Sequence, residues 1–571
     1  MNCSKYLLSF SFLAVSAAAF ATDRIVPFAY PTIQAAINAS FSGDRVLLQP
    51  TTFNERISFN GKDITVKAYT DQGAIIDGGA GGPVVTFAGT EPSTAQLSGI
   101  TIQNGLNSNG GGIKGNFTIA TIKNCIIRNN KATGSGGGIY GFSGLMQGCQ
   151  ILSNEAANGG GVAASEGILL ANTIGLNEAT SAGGGIYNSI GTIQSNLISS
   201  NTAGTDGGGV ANLTTGSLIF NTITLNTAAV HGGGVYNVSM DIAGNTITSN
   251  QVTVTGSTAS PGSFGAGLCN CSGRITGNYI AENAGNGRGG GLDNCTNDII
   301  NNVVFSNGAR LGGGLSNCTG NIFNNTIFGN LAIVSSGGML NCSSPVNCII
   351  WDNSPINPQI TGPNPPNFCC VQNWSGGGTG NILLPPQVVD AVNGDMHLQA
   401  GSPCIDAGTS LALVLIDFEG DIRGTVGTAI AGGDGSRWDI GADEFVPPFV
   451  NLIDTWGTVT PKLKGAGPTL KYSVKGTLAV GNSGNVPVTA TAAVNFYLST
   501  DGTFDSTDTT IGKTLKLKPL KVGATKTLKL KGKLPTGQSA SGLYLLGVVD
   551  STNVVAENNE ADNVAVSGPL P

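Results

Sequence analysis

Histidine is nearly missing from this 571-residue chain, which has two. With so few imidazoles and no C-x₂-C pair, the usual ligand spacings of a zinc site are excluded. Charge is scarce at 11% of residues, with a net of −7, and residues 22–446 hold 14 basic against 26 acidic side chains. That balance argues against nucleic acid or an anionic membrane as a partner of this portion. Beyond the N-terminus no apolar run is long enough to span a membrane as a helix. Paired carboxylates, which glycoside hydrolysis requires, are not visible. Glu155, Glu178, Asp206, Asp241, Glu282 and Asp293 each stand alone. Lyase chemistry on uronates needs a base beside calcium-binding carboxylates, and no such cluster is visible either.

What the chain does have begins with Met1–Ala21. Lys5, the apolar stretch Tyr6–Phe20 and the Ala19-Phe20-Ala21 cleavage pattern read as a secretory signal. The mature protein is expected to be secreted or at the cell surface, with no transmembrane segment after cleavage.

Glycine is abundant, and its placement is periodic. Clusters begin at Gly110, Gly136, Gly159, Gly183, Gly207, Gly232, Gly265, Gly289, Gly312 and Gly337, about every 24 residues. An aliphatic residue follows each, such as Ile113, Val162 or Leu292. A fixed period of this size predicts a solenoid, whose repeats bury their apolar faces against one another. A second column runs from Ile126, Ile151 and Ile174 to Ile349, each two places after an Asn or Cys. Three places beyond come Asn129, Asn154, Asn177 and onward to Asn330, then Asp352. A third column follows the glycines: Asn188, Asn212, Asn237, Asn270, Asn294, Asn317 and Asn341.

Residue type separates strand from helix. Thr222-Ile223-Thr224-Leu225 alternates as a pleated strand does, and glycine triplets would break helices. Each repeat fits three short strands and three turns. Parallel strands about 4.8 Å apart would then make one coil per repeat, and ten coils a rod of roughly 48 Å. Asn tolerates left-handed turns, and a stacked amide donates to one neighbouring coil while accepting from the other. The Gly and Asn columns are therefore structural. Cys271, Cys295, Cys318 and Cys342 recur at the same period. They should stack as small buried thiols, because parallel Cβ vectors aim poorly for disulfides.

The ends differ from the middle. Pro31–Ala39 is an amphipathic helix with Ile33, Ala36 and Ile37 on one face, suited to cap the first coil. Strand-like segments Arg45–Gln49, Ile57–Phe59 and Ile64–Ala68 follow. On T-I-Q-A-A-I, G-D-R-V and E-R-I…G-K-D-I-T-V, the chain resembles the pectin-lyase-like right-handed parallel β-helix superfamily. The glycine repeats also resemble those of polymorphic outer-membrane proteins, as in Ser153-Asn154-Glu155-Ala156 leading into Gly159-Gly160-Gly161-Val162. The superfamily's polygalacturonase G-H-G and pectate-lyase-like D-H and R-x-P-x-x-R patterns are absent. Between Asn250 and Gly265 one repeat carries an insertion, Gln251–Phe264, that must bulge from the rod. Near Asn353 the repeat stops.

The segments Phe368-Cys369-Cys370-Val371-Gln372, Gly394-Asp395-Met396-His397-Leu398, Gly401–Gly408, Asp421-Ile422-Arg423-Gly424 and Asp439–Phe445 follow in order. They resemble the C-terminal module of bacterial choice-of-anchor Q β-helix proteins, which implies that this module closes the last coils. Its Asp406, Arg423, Asp439 and Asp443 read either as a buried ion-pair network or as a calcium site.

Residues 450–571 differ again, with twelve Lys. Leu515, Leu517, Leu528 and Leu530 alternate with Lys516, Lys518, Lys529 and Lys531, a half-buried strand pattern. Asn495–Ser499 with Asp501, Asp505 and Asp508, and later Val549-Asp550 and Glu557–Asn563, resemble the bacterial cell-adhesion-related (CARDB) domain. This implies an immunoglobulin-like β-sandwich. The three Asp read as an Asp-rich turn or a calcium site, and the Lys stripe as a solvated strand face or a contact for acidic glycans.

The column just before the glycines varies, running Ser135, Asn158, Ala182, Asp206, His231, Phe264, Arg288, Leu311 and Ser336. It reads as solvent-facing, and its Asp206, His231 and Arg288 are the only candidates for chemistry there. The sequence thus predicts an all-β chain: signal peptide 1–21, right-handed parallel β-helix with cap helix 22–353, closing module 354–446 and Ig-like sandwich 450–571. It assigns no catalytic, cofactor-binding or metal-ligating residue and no cofactor, calcium being the alternative. The expected role is a non-catalytic exported scaffold for adhesion or binding to cell-surface glycans or proteins. The competing role is a polysaccharide-binding or polysaccharide-degrading β-helix.

Overall fold

The structure is a computed structural model that describes residues 21–253, 264–355, 358–425 and 433–571. The signal segment up to Phe20, and most of the insertion Gln251–Phe264, lie outside the described residues. The chain divides into two compact units, one ending at Phe445 and the other beginning at Val446.

The first unit is a parallel β-solenoid. One 14-stranded ladder runs from Asp23–Val26 to Pro345–Val346, and a second from Thr52–Phe53 to Cys370–Val371. A 13-stranded ladder runs from Ile57–Ser58 to Ile360–Thr361. The coil has one more strand than its sequence suggests. A fourth, 10-stranded ladder of two-residue strands, from Leu106–Asn107 to Leu331–Ala332, follows the Asn column. A small inward residue, such as Ala156, Ala179, Ala203 or Ala228, lets the chain bend there and still pair. The predicted helix forms over Ile33–Ala39, N-capped by Thr32, and buries Ile33, Ala36 and Ile37.

Register follows from what is buried. Ile127, Ile151, Ile174, Ile198, Ile223 and Ile247 stack as a column of closed side chains. The first amide column runs Asn130, Asn154, Asn177, Asn201, Asn226, Asn250, Asn283, Asn307, Asn330 and Asn353. Asn201 shows its chemistry. Its backbone N–H and Nδ2 both donate to Asn226 Oδ1, at 3.0 and 2.9 Å, and Nδ2 also donates to Ile174 O at 2.9 Å. Asn129 and Asp352, which the spacing placed in this column, sit one residue before it. They hold left-handed corners with φ of 53° and 54°. Ile126 and Ile349 are displaced likewise, because Ile127 and Ile350 pair with the isoleucine column.

A second amide column, Asn172, Asn196, Asn221, Asn245, Asn278, Asn302 and Asn325, repeats the pattern. Thiols extend it at both ends: Cys149 N–H donates to Asn172 Oδ1, and Asn325 N–H points at Cys348 Sγ. Cys348 N–H in turn points at Cys369 Sγ. This is why the ladders continue to Val371 although the Gly–Asn motif ends near Asn353. The third Asn column does a different job, holding left-handed corners from Asn188 (φ 48°) to Asn341 (φ 50°). Both amide columns pass the insertion unbroken, Asn250 N–H reaching Asn283 Oδ1 at 3.0 Å.

The glycine triplet answers to two demands. Gly207 has φ 64°, where an L side chain is strained. A Cβ on Gly208 or Gly209 would meet the next coil's Gly233 O at 2.5 Å or Gly234 O at 2.7 Å. Among the described residues, eleven cysteines are buried free thiols, and Cys271, Cys295, Cys318 and Cys342 line the core as expected.

Within the first unit, the described residues between Val371 and Phe445 fold back along the coils rather than only covering the last one. Asn301 donates to Ile416 O, Asn324 to Asp439 O and Asn347 to Thr409 O, which places the module beside successive coils. The second unit is a sandwich. One sheet holds Leu452–Lys464, Lys471–Asn482 and Thr525–Lys533. The other is built on Ala492–Ser499 and Tyr544–Val548. Val474, Leu478, Val494, Phe496 and Leu545 fill the space between.

Asn226→Ala would strip the two donors of Asn201 of their shared acceptor inside the core, a loss of about 2–4 kcal/mol. Asn237→Ala keeps a solvent-exposed corner and loses about 1 kcal/mol of left-handed preference. Urea unfolding followed by circular dichroism separates the two; equal losses would remove the amide column from its role.

Candidate functional site

In-register stacking brings the pre-glycine column together. Asp206, His231, Phe264, Arg288 and Leu311 lie on successive coils, joined by parallel bridges. They are half-buried rather than solvent-facing, since each side chain leans on the next. Asp206 Oδ1 holds His231 Nδ1 at 2.6 Å. The imidazole stacks on Phe264 with centroids 5.3 Å apart and planes 11° apart, and on Tyr236 at 5.6 Å and 20°. The Arg288 guanidinium lies 4.3 Å from the Phe264 centroid, a cation–π contact. The three charged candidates of the sequence thus form one laminate, with Phe264 as the layer that sequence reasoning passed over.

Beside the laminate runs a polar cleft of about 390 Å³, lined by His231, Phe264, Arg288, Asp293 and the corner amides Asn270, Asn294 and Asn317. Asp293 lies at its floor, 2% exposed. Burial, then the nearby Cys318, pushes its carboxyl up to about 6. Asn317 Nδ2 reaches it at 3.4 Å. Arg288 Nε is buried without a hydrogen-bond partner.

The second candidate constellation is a buried network around Arg423. Arg423 and Glu444 are fully enclosed, Nη1 3.4 Å from Oε2. Arg423 also donates to the carbonyls of Gly441, Ala442 and Asp443 and to Asn301 Oδ1. Asp439 accepts from the backbone N–H of Asp406 and Phe445, and Asp443 from that of Leu398. Burial, then the charge of Glu444, pushes Asp439 up to about 8. Glu444, the partner of Arg423, was visible only as the neighbour of Asp443. Nearby, His397 is bracketed by Asp395 at 2.5 Å and Glu419 at 3.0 Å. Burial works against its protonation, yet the two carboxylates hold it up at about 9.

In the second unit, Asp501, Asp505 and Asp508 are spent on their own turn. They accept from Thr503 N–H, Thr507 N–H and Asp505 N–H at 2.9, 2.7 and 3.0 Å. The Lys pairs that looked like one stripe separate. Lys516 lies on Leu515–Leu517, which pairs with Ala492–Ser499, whereas Lys529 and Lys531 lie on Thr525–Lys533 in the other sheet. Among the described residues, no group of three His, Cys, Asp or Glu is arranged to hold a metal ion.

Residues 459–567 match the family model described as CARDB. The chain is similar to the CARDB domain of a Pyrococcus furiosus protein solved in complex with di-metal ions, at 22% identity over 21% of this chain and 93% of that one, with a TM-score of 0.15. It is also similar to AlyGC, a PL6 family alginate lyase, at 14% identity over 65% of this chain and 54% of that one (TM-score 0.33). A third similar structure is full-length tailspike protein 2 from Escherichia coli O157:H7 bacteriophage CAB120, at 11% identity over 93% and 65% of the two chains (TM-score 0.25). No curated protein matches.

The raised pKa of Asp293 has a signed consequence. Its folded value of about 6 lies above the ordinary 3.8, so the folded state loses stability relative to the unfolded as pH climbs from about 4 through 6. Asp293→Asn should therefore stabilise the protein by about 2–3 kcal/mol at pH 8 and leave it nearly unchanged below pH 4. Thermal unfolding at the two pH values reads this; a gain at both, or at neither, would refute it.

Proposed function

We propose that this protein is an exported, non-catalytic binding protein whose β-solenoid offers a rigid groove to an extended polar ligand such as a glycan chain. The observation that carries this reading is the laminate. Asp206 is engaged by His231, the His231 ring is stacked between Tyr236 and Phe264, and Arg288 lies on Phe264. Acid–base catalysis on a glycosidic bond wants two carboxyl groups flanking it. Here Asp206 faces an imidazole and Asp293 is buried at the cleft floor.

Binding asks for less, and the groove supplies it. Asn270, Asn294 and Asn317 repeat an amide along one wall at the coil spacing of about 4.8 Å. Arg288 adds a cation, and the stacked coils hold all of them in place without ordering cost. Phe264 has His231 over one part of its ring and Arg288 close to its centroid, so hydrogen bonding rather than sugar–ring stacking would dominate.

A panel of neutral and acidic oligosaccharides tests the reading, scored both for binding and for new reducing or unsaturated ends, with and without calcium. Binding is expected to weaken roughly tenfold in Arg288→Ala and Asn294→Ala, with no new ends in the parent protein. Steady turnover of any of them would replace the binding reading with the enzymatic one.

A further inference from the structure

The second unit carries an interaction surface that the groove reading does not use. We propose that the outer face of its three-stranded sheet docks a polyanionic glycan chain. The register defines that face. On the central strand, Lys471, Ser473, Lys475 and Thr477 point away from the core while Tyr472, Val474, Gly476 and Leu478 point into it. On one side, Lys533 sits opposite Ser473, Lys531 opposite Lys475 and Lys529 opposite Thr477. On the other, Lys464 sits opposite Lys471, Lys462 opposite Ser473 and Thr460 opposite Lys475. No Asp or Glu occupies any of these positions.

Such a face costs stability. Like charges directly across a ladder repel, and here Lys475 faces Lys531 and Lys471 faces Lys464. None of these lysines forms an ion pair among the described residues. Protection of strand edges would be met by lysines on the outer strands alone; Lys471 and Lys475 are on the central one. A shallow depression of about 250 Å³ lies in the middle, lined by Lys475, Lys529 and Lys531 with the hydroxyl-bearing Thr458, Thr460 and Thr477. The register shift between Trp456 and Val459 inserts one extra residue there, the kind of bulge that re-aims side chains.

Shape and chemistry select the partner. Three strands by four outward positions make a ribbon of about 10 by 20 Å, longer than one small anion needs. The face is flat and cannot enter a groove of duplex DNA. It presents no aromatic ring for base stacking and no Arg for bidentate phosphate contacts. It has no apolar side chain to insert into a membrane. Ammonium groups interleaved with hydroxyls suit a chain that carries both carboxylate or sulfate groups and sugar hydroxyls.

Native affinity electrophoresis of the full chain through gels containing polygalacturonate, heparin, neutral dextran or duplex DNA tests this. Retardation by polygalacturonate, heparin or both is expected, telling carboxylate from sulfate preference, with none by dextran. It should fall steeply as salt approaches about 0.5 M. Lys475→Glu with Lys531→Glu should weaken retardation roughly tenfold, and Lys475→Gln with Lys531→Gln less so. Lys516→Glu with Lys518→Glu and Arg288→Ala should leave it unchanged, which separates this surface from the groove. Melting curves check that each variant is folded. No retardation by either acidic glycan, stronger retardation by DNA, or equal loss from Lys516→Glu with Lys518→Glu would overturn the proposal.

Discussion

Register between coils is the constraint from which the rest of the solenoid follows, and buried amides enforce it. Each interior rung of the first Asn column accepts two N–H bonds from the coil before it and donates to the coil after it. A one-residue slip would leave these groups unpaired in the core, at about 1–3 kcal/mol each. It would also turn the isoleucine column outward, since strand side chains alternate faces. Polar and apolar columns therefore specify the same register. The thiols at the ends of the second column show how far the amide can be replaced: Cys348 and Cys369 accept backbone N–H groups at 3.4 and 3.2 Å, with weaker acceptors but no lost register.

The same economy shapes the glycine corner. A triplet is needed because Gly207 must turn left-handed while Gly208 and Gly209 lie against the carbonyls of the next coil. Where the coil is this tightly laid, only side chains leaning along the rod axis can be accommodated. The residue before the triplet does so in several coils, and its bridges are to residues 23 to 33 positions away in sequence.

That distance explains what the sequence made legible. Period, strand character, the thiol column and the sandwich were readable because each is carried by local pattern. The first and last rungs were misread: Asn129 and Asp352 match the spacing, yet Asn130 and Asn353 take the amide positions. Asn124 and Asn347 mimic the column, but the adjacent Cys125 and Cys348 hold the positions stacked on it, which shows only once the coils are paired. The fourth strand was missed because two residues are too few to show alternation. Of the candidate site, Asp206, His231, Phe264 and Arg288 were legible as a column, but the ring contacts of Phe264 and the place of Asp293 at the cleft floor show only once the coils are stacked. The lysine face was half legible. Alternation gave Lys529 and Lys531 an outward direction, but only pairing shows that they face Lys475 and not Lys516.

A solenoid built from repeated columns also limits where function can reside. A column that repeats one residue type is explained by stacking, since its neighbours above and below demand that type. Function must then lie where a column departs from its own rule without losing stability. In the described solenoid, the pre-glycine column makes the sharpest departure, from Ala182 to Asp206, His231, Phe264 and Arg288 within four coils. The one lengthened repeat ends at Phe264, in the same column. The substitutions compensate one another through a short polar contact, a ring stack and a cation–π contact, so the rod tolerates them. Beside them the corner amides Asn270, Asn294 and Asn317 line the cleft, Asn294 Nδ2 donating to Asn270 Oδ1 at 2.7 Å and Asn317 Nδ2 reaching Asp293 at 3.4 Å. The proposed binding reading rests on this compensated departure beside an unaltered polar wall, which the amide register beneath holds in place.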